Sequence, residues 1–380
     1  MERIPAISLQ SVQDDRLERC LEGTGQWLLD NDEFQLWESS SETKLLWVHG
    51  KHGCGKSYLA ARVIDHLAKT QAHDGRAALS YSYCNPIDAS NAARNTGASN
   101  ENSAMIDLDQ LIGTLLKQLL RYLPVSESLP SLEHAAGSKD DARPTREQMK
   151  TAIIEALSRL QKAFVVIDGL DECHKLGNPH FAKFCDFISS LVRSSLAPTA
   201  TKIIVFSRPN YSEIESAFAG ATSIQVDGGA NSEDIKLFIN AKMSGLKVSE
   251  SVLQEITRKM VSRSDGMFLW VDLVSGSLQG ERNVRGIRKA IEELPEGLDT
   301  VYEWSMARIL RQPSRAARER AFNLLLWTTN ALRPLSREEM MEALAVESDT
   351  TELDEEARLV SDDGFITECA DLIVLRDGYY

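Results

Sequence analysis

The stretch Leu45–Leu67, LLWVHGKHGCGKSYLAARVIDHL, joins a short apolar run to a helical pattern through three glycines in six positions. Within it, residues 50–57, GKHGCGKS, match G-x-x-x-x-G-K-[ST], with Gly50, Gly55, Lys56 and Ser57 on the fixed positions. Lys44 to Val48 reads as a buried strand, and Leu59, Val63, Ile64 and Leu67 fall at helical spacing, so the glycines sit on a strand-to-helix turn. Such a turn lets backbone N–H groups and a helix N-terminus surround a triphosphate. Lys56 then reaches the outer phosphates and the Ser57 hydroxyl ligates magnesium. The expected nucleotide-binding residues are therefore Gly50, Gly53, Cys54, Gly55, Lys56, Ser57 and Tyr58. Cys54 has two readings: a thiolate favoured by Lys56 and the helix N-terminus, or a residue that merely fills a small-side-chain position.

A magnesium site of this kind draws a carboxylate from the end of another strand. KAFVVIDGLDEC, residues 162–173, supplies one: an apolar run ends in Asp168, followed by Asp171 and Glu172. Asp168 is expected on the hydrated metal, and Glu172, with Asp171 as substitute, as the group that orients or deprotonates the attacking water. TKIIVFSRPN, residues 201–210, is a further buried strand, and Arg208 at its end is the candidate sensor of the terminal phosphate.

Outward from these landmarks, strand and helix alternate. Ala77–Cys84 reads as a strand, residues 107–123 and 145–160 as helices, the second capped by Thr145, and residues 222–226 as a fifth strand. The expected fold is α/β, a P-loop NTPase with a five-stranded parallel sheet, followed by an all-helical domain and a partial winged-helix-like region. Expected boundaries are a lead-in at 1–23, the NTPase domain at 24–228, a helical domain at 229–298 and a C-terminal helical, winged-helix-like region at 299–380. Residues 85–104 and 124–144, rich in Ser, Asn and Pro, read as surface loops. Ser336 and Glu339 form a capping box, the acidic 347–364 segment reads as a solvated linker, and ADLIVLRDGYY at the C-terminus reads as a strand of a domain cut short.

Composition narrows the partners. The 380-residue chain has a formal net charge of -14, which argues against a general grip on nucleic-acid backbones. No apolar run approaches the roughly 18 residues of a membrane span, and the start lacks a signal peptide. Six scattered cysteines without a C-x-x-C pair fit a reducing, cytoplasmic setting rather than a disulfide framework. Cys173, His174, His180 and Cys185 have a spacing that matches no common zinc pattern. No N-K-x-D guanine signature follows the later strands, which favours ATP over GTP.

The ordered series CLEGTGQWLLDNDEFQLW, GKHGCGKS, VVIDGLDEC, VFSRP, GMFLWVDLV and AIEELPEGLDTVYEWSM resembles the fungal NACHT-type NTPases of the STAND class, whose core is the nephrocystin-like N-terminal domain. The resemblance runs from about Cys20 to the C-terminus. It implies a signalling switch that is closed with ADP and opened by exchange for Mg-ATP or GTP, hydrolyses slowly, and forms homo-oligomers on activation. It also implies effector or repeat-bearing regions outside this chain, with roles in heterokaryon incompatibility or innate-immunity-like signalling. Residue by residue it puts phosphate on Gly50, Gly53, Gly55, Lys56 and Ser57, metal on Asp168, the acidic follow-on at Asp171 and Glu172, and the sensor at Arg208. The chain departs from the family at His52, where relatives more often carry alanine or proline, and at Gly266 to Phe268, where plant relatives have Gly-Leu-Pro. The winged-helix histidine that contacts the diphosphate in related switches would lie beyond Tyr380. A conventional P-loop kinase or motor, and a scaffold without turnover, are the rival classes; an acceptor pocket or nucleic-acid-stimulated turnover would mark the enzyme.

Overall fold

The computed structural model describes residues 4–72, 77–84, 108–124, 129–132, 143–176, 181–193, 200–281, 283–346, 358–370, 372–375 and 378–380. They divide into two compact units, Met1–Asp234 and Ile235–Tyr380.

The first unit is built on a five-stranded sheet. Its strands are β1 (Lys44–Gly50), β2 (Ala78–Tyr83), β3 (Lys162–Asp168), β4 (Ala200–Ser207) and β5 (Thr222–Val226). All pairs are parallel and the spatial order is β2-β3-β4-β1-β5. Because side chains alternate across a strand, each central strand feeds two cores. Leu45 of β1, Val165 and Ile167 of β3, and Ile203 and Val205 of β4 join one hydrophobic cluster. Leu46 and Val48, Phe164 and Val166, and Ile204 and Phe206 join the other.

Helices close both faces. Among the described residues the first unit carries α1 (Gln10–Arg19), α2 (Gln26–Leu29), α3 (Asp32–Ser39), α4 (Lys56–Leu67), α5 (Leu108–Leu120), α6 (Arg146–Arg159), α7 (Phe181–Arg193) and α8 (Ser212–Phe218). The first cluster takes its helical side chains from α5 to α8, the second from α1 to α4. Thr145 caps α6 through a full capping box with Gln148. The Trp37 indole of α3 donates to the carbonyls of Lys44 and Ile203 at 3.2 and 3.0 Å, fastening that helix where β1 and β4 begin.

The N-terminal segment is part of this core. Ile4, Leu9 and Val12 are buried, and the Ile7 N–H donates to Thr114 Oγ1 at 3.0 Å. The chain crosses α5 at Gly113 so closely that a Cβ there would lie 1.8 Å from the Pro5 carbonyl oxygen. Only glycine permits that crossing.

The second unit begins within α9 (Ser232–Met243) and continues through α10 (Glu250–Ser264), α11 (Phe268–Gln279), α12 (Val284–Glu292), α13 (Leu298–Leu310), α14 (Arg315–Asn330), α15 (Arg337–Leu344) and the short α16 (Phe365–Glu368). It holds two hydrophobic clusters, one running from Ile235 to Val301 and one from Ile309 to Ile373. Ser336 and Glu339 make the expected capping box. The C-terminal strand expected from ADLIVLRDGYY is not formed among the described residues; a single antiparallel bridge joins Tyr379 to Ser336. The Arg337 N–H donates to the Gly378 carbonyl and the Tyr380 N–H to the Leu335 carbonyl, and apolar alternation without a partner strand makes no ladder. Much of the two polar loops and of the acidic linker lies outside the described residues.

Candidate functional site

Parallel order places the carboxyl ends of β1, β3 and β4 side by side, and the segments leaving those ends build the site. β4 lies between the glycine-loop strand β1 and the Asp168 strand β3. The segment leaving β4 therefore emerges between the loop and the acids.

The glycine loop turns through Gly53 and Gly55, at φ of 74° and 92°. These left-handed conformations cost glycine little and other residues much. Gly50 is needed for a different reason: a Cβ there would meet the Val226 carbonyl oxygen at 2.6 Å and Cys54 Sγ at 2.8 Å. Lys56 folds back over the loop and donates to the carbonyls of Gly50 and Lys51 at 2.8 and 2.7 Å. Asn231 donates to the Cys54 carbonyl at 3.3 Å. Cys54 is buried, and burial pushes its thiol pKa up, only partly offset by the charge and hydrogen bonds of Lys56. Of the two readings of Cys54, the structure gives the small buried residue, because desolvation outweighs the nearby cation. Tyr58 is exposed on the first turn of α4.

Asp168 ends β3 with a relative exposure of 2%. Burial raises its pKa, opposed by Arg16, by a hydrogen bond from Ser57 and by Lys56. Its Oδ2 pairs with the Arg16 guanidinium at 3.1 Å. Its Oδ1 is buried without a hydrogen bond of good geometry, and a buried acceptor of that kind calls for a partner. A hydroxyl and a carboxylate beside an unsatisfied oxygen are hard oxygen donors, which suits Mg2+.

Arg208 gathers the two following acids. Its backbone N–H donates to Asp171 Oδ1 at 3.0 Å, and its Nε lies 3.2 Å from Asp171 Oδ2. Its Nη2 reaches Glu172 Oε1 at 3.4 Å and His52 Nδ1 at 3.0 Å. Asp171 is buried, whereas Glu172 keeps a side-chain exposure of 20%. Gly169, at φ 72°, makes the turn that leads from Asp168 into this acidic pair.

The structure thus brings together Ser57 with Asp168, and Arg208 with Asp171, Glu172 and His52. Sequence reasoning missed one contributor, Arg16, which sits in no motif. Cys173 and Cys185 are buried; His180 lies outside the described residues, as does the side chain of His174. Among the described residues, no group of three or more His, Cys, Asp and Glu stands in a metal-binding arrangement, and no helix is long and apolar enough to cross a membrane.

A parallel sheet with a phosphate-type glycine loop after its first strand and an aspartate ending a neighbouring one defines a P-loop NTPase domain. Residues 23–208 match the family described as Nephrocystin 3, N-terminal. The vegetative incompatibility protein HET-E-1 of Podospora anserina is 26% identical over 371 residues, covering 92% of this chain and 24% of that protein. The chain thus spans about a quarter of the length of this curated relative. Among solved structures, a Walker-type ATPase of Pyrococcus abyssi aligns with 98% of this chain and 92% of its own at 15% identity and a TM-score of 0.39. The Drosophila ORC bound to DNA aligns with 88% of this chain and 76% of its own at 13% identity and a TM-score of 0.41. Likenesses this distant assign no function.

Proposed function

We propose that this chain is the nucleotide-operated part of a STAND-class signalling switch, binding Mg-ATP, or GTP in its place, hydrolysing it slowly and assembling with copies of itself in the triphosphate state. The match of residues 23–208 to the nephrocystin-type family and the similarity to a vegetative incompatibility protein support the signalling setting. The observation that carries the nucleotide reading is Lys56, whose ammonium is held by two carbonyls of its own loop, next to the Ser57–Asp168 pair.

In this mechanism the loop N–H groups and the α4 N-terminus receive the phosphates, and Lys56 exchanges its two carbonyl contacts for phosphate oxygens. Ser57 and Asp168 would hold Mg2+, which supplies charge neutralisation at the outer phosphates when bound. Glu172 is the better candidate to orient and deprotonate water. Asp171 is buried and doubly engaged by Arg208, so its role is to position that arginine. Arg208 turns its guanidinium toward the terminal phosphate while its backbone stays on Asp171. A division of the second unit into a helical domain and a C-terminal region is supported by its two hydrophobic clusters, which part within α13 between Val301 and Ile309.

The deciding experiment compares the parent chain with Lys56→Ala in thermal or urea unfolding with Mg-ATP and Mg-GTP. Ligand at a hundred times its dissociation constant stabilises a folded protein by about 2.7 kcal/mol. The parent should gain that much with at least one nucleotide, and the variant should lose most of the gain with its ligand-free stability intact. Equal gains in both proteins, or none in either, would reject the assignment.

A further inference from the structure

The ion pair of Asp168 comes from outside the matched family residues. Arg16 lies on α1, and its ion pair with Asp168 is nearly dry, with side-chain exposures of 12% and 3%. The guanidinium carbon also stands 3.9 Å from the centre of the Tyr83 ring. Register explains the seat: Tyr83 and Asp168 are paired neighbours at the carboxyl ends of β2 and β3, so one cation covers both. The helix that delivers it is fastened on either side. Gln13 donates to the Ala61 carbonyl of α4 at 2.9 Å and accepts from the Tyr83 hydroxyl.

We infer that Arg16 is a further functional residue of the nucleotide site, a resident cation that competes with Mg2+ for the charge of Asp168 and so ties the lead-in helix to the loaded state. The inference rests on the Mg-nucleotide reading above. Two cations that share one buried carboxylate repel each other even when they use different oxygens, because little solvent screens them. Magnesium uptake therefore weakens the hold of Arg16 on Asp168, and α1 loses the ion pair that pins its C-terminal half over β2 and β3. Nucleotide without metal makes no such demand.

The test titrates magnesium chloride into protein holding a fluorescent ATP analogue, with Arg16→Gln and Arg16→Lys beside the parent. Arg16→Gln keeps much of the side chain's length and hydrogen bonding but removes the competing charge. Its half-saturating magnesium concentration should fall roughly tenfold. Arg16→Lys, which keeps the charge, should stay within a few-fold of the parent. Limited proteolysis of the parent should cut within α1 faster with magnesium and ATP than with ATP alone. An unchanged or higher magnesium midpoint in Arg16→Gln overturns the inference while the nucleotide reading stands. Failure of the parent to bind the analogue at all sinks both. If Arg16→Gln does not fold, the Arg16→Lys midpoint and the parent proteolysis decide: no magnesium-dependent change in α1 cleavage also overturns it.

Discussion

Arg208→Ala removes the one guanidinium that joins Asp171, Glu172 and His52, and the geometry allows its cost to be worked out. The Asp171 contact is the larger part. Arg208 Nε lies 3.2 Å from Asp171 Oδ2, an ion pair without hydrogen-bond alignment at a side chain that is 2% exposed, and taking the cation away from a buried acceptor costs about 1–3 kcal/mol. The Glu172 contact is longer, at 3.4 Å, and reaches a side chain that is 20% exposed, so it adds less than about 1 kcal/mol. Asp171 is not fully orphaned in the variant, since the backbone N–H of residue 208 still donates to its Oδ1. The loss should therefore fall short of the roughly 3–5 kcal/mol seen when a buried charge is left alone, at about 2–3 kcal/mol. Arg208→Lys should recover less than half, because one ammonium cannot span both carboxylates as a planar fork does. Urea unfolding followed by circular dichroism and tryptophan fluorescence measures this, fitted as two transitions if the two units melt separately. A change below about 0.5 kcal/mol, the level of an ordinary surface substitution, would refute the reasoning and make Arg208 a solvated cation.

Two further outcomes are expected. Glu172→Gln should bind ATP about as well as the parent and turn it over about a hundred-fold more slowly, as loss of a general base does; with ATP present it should elute from a sizing column as a larger species, and unchanged turnover would remove the carboxylate from this role. His66 hydrogen-bonds Glu38 at 3.0 Å, and that bond, against a counteracting burial, raises the His66 pKa above 6.5 while the Glu38 pKa is lowered. Stability from the raised histidine is fully present below pH 6.5 and is lost as pH rises through its folded value. The parent should thus lose up to about 1 kcal/mol on going from pH 6 to pH 8, and His66→Gln should lose less; parallel pH profiles of the urea midpoint would contradict the pairing.

The legibility of each feature in the sequence depends on how local its determinants are. The glycine loop, its strand and its helix are set within some two dozen consecutive residues, because left-handed glycines and period-two and period-3.6 apolar spacing act over neighbours. The same holds for the apolar strands that end in Asp168 and before Arg208, and for the Thr145 and Ser336 caps, where a side chain three residues away completes the bond. Tertiary structure decided what depends on distant pairing. Strand order put β4 between β1 and β3, and only that order brings Arg208 onto Asp171 and Glu172. Burial favours the small-residue reading of Cys54 over the thiolate, since desolvation is a property of the packed surroundings rather than of the loop's residues. The terminal ADLIVLRDGYY carried strand-like alternation but, among the described residues, found a single bridge, because a strand requires a partner that the segment itself cannot supply. Arg16 stands 152 positions from Asp168 in the chain. No spacing rule reaches that far, and it meets the carboxylate only because the lead-in helix folds onto the ends of β2 and β3.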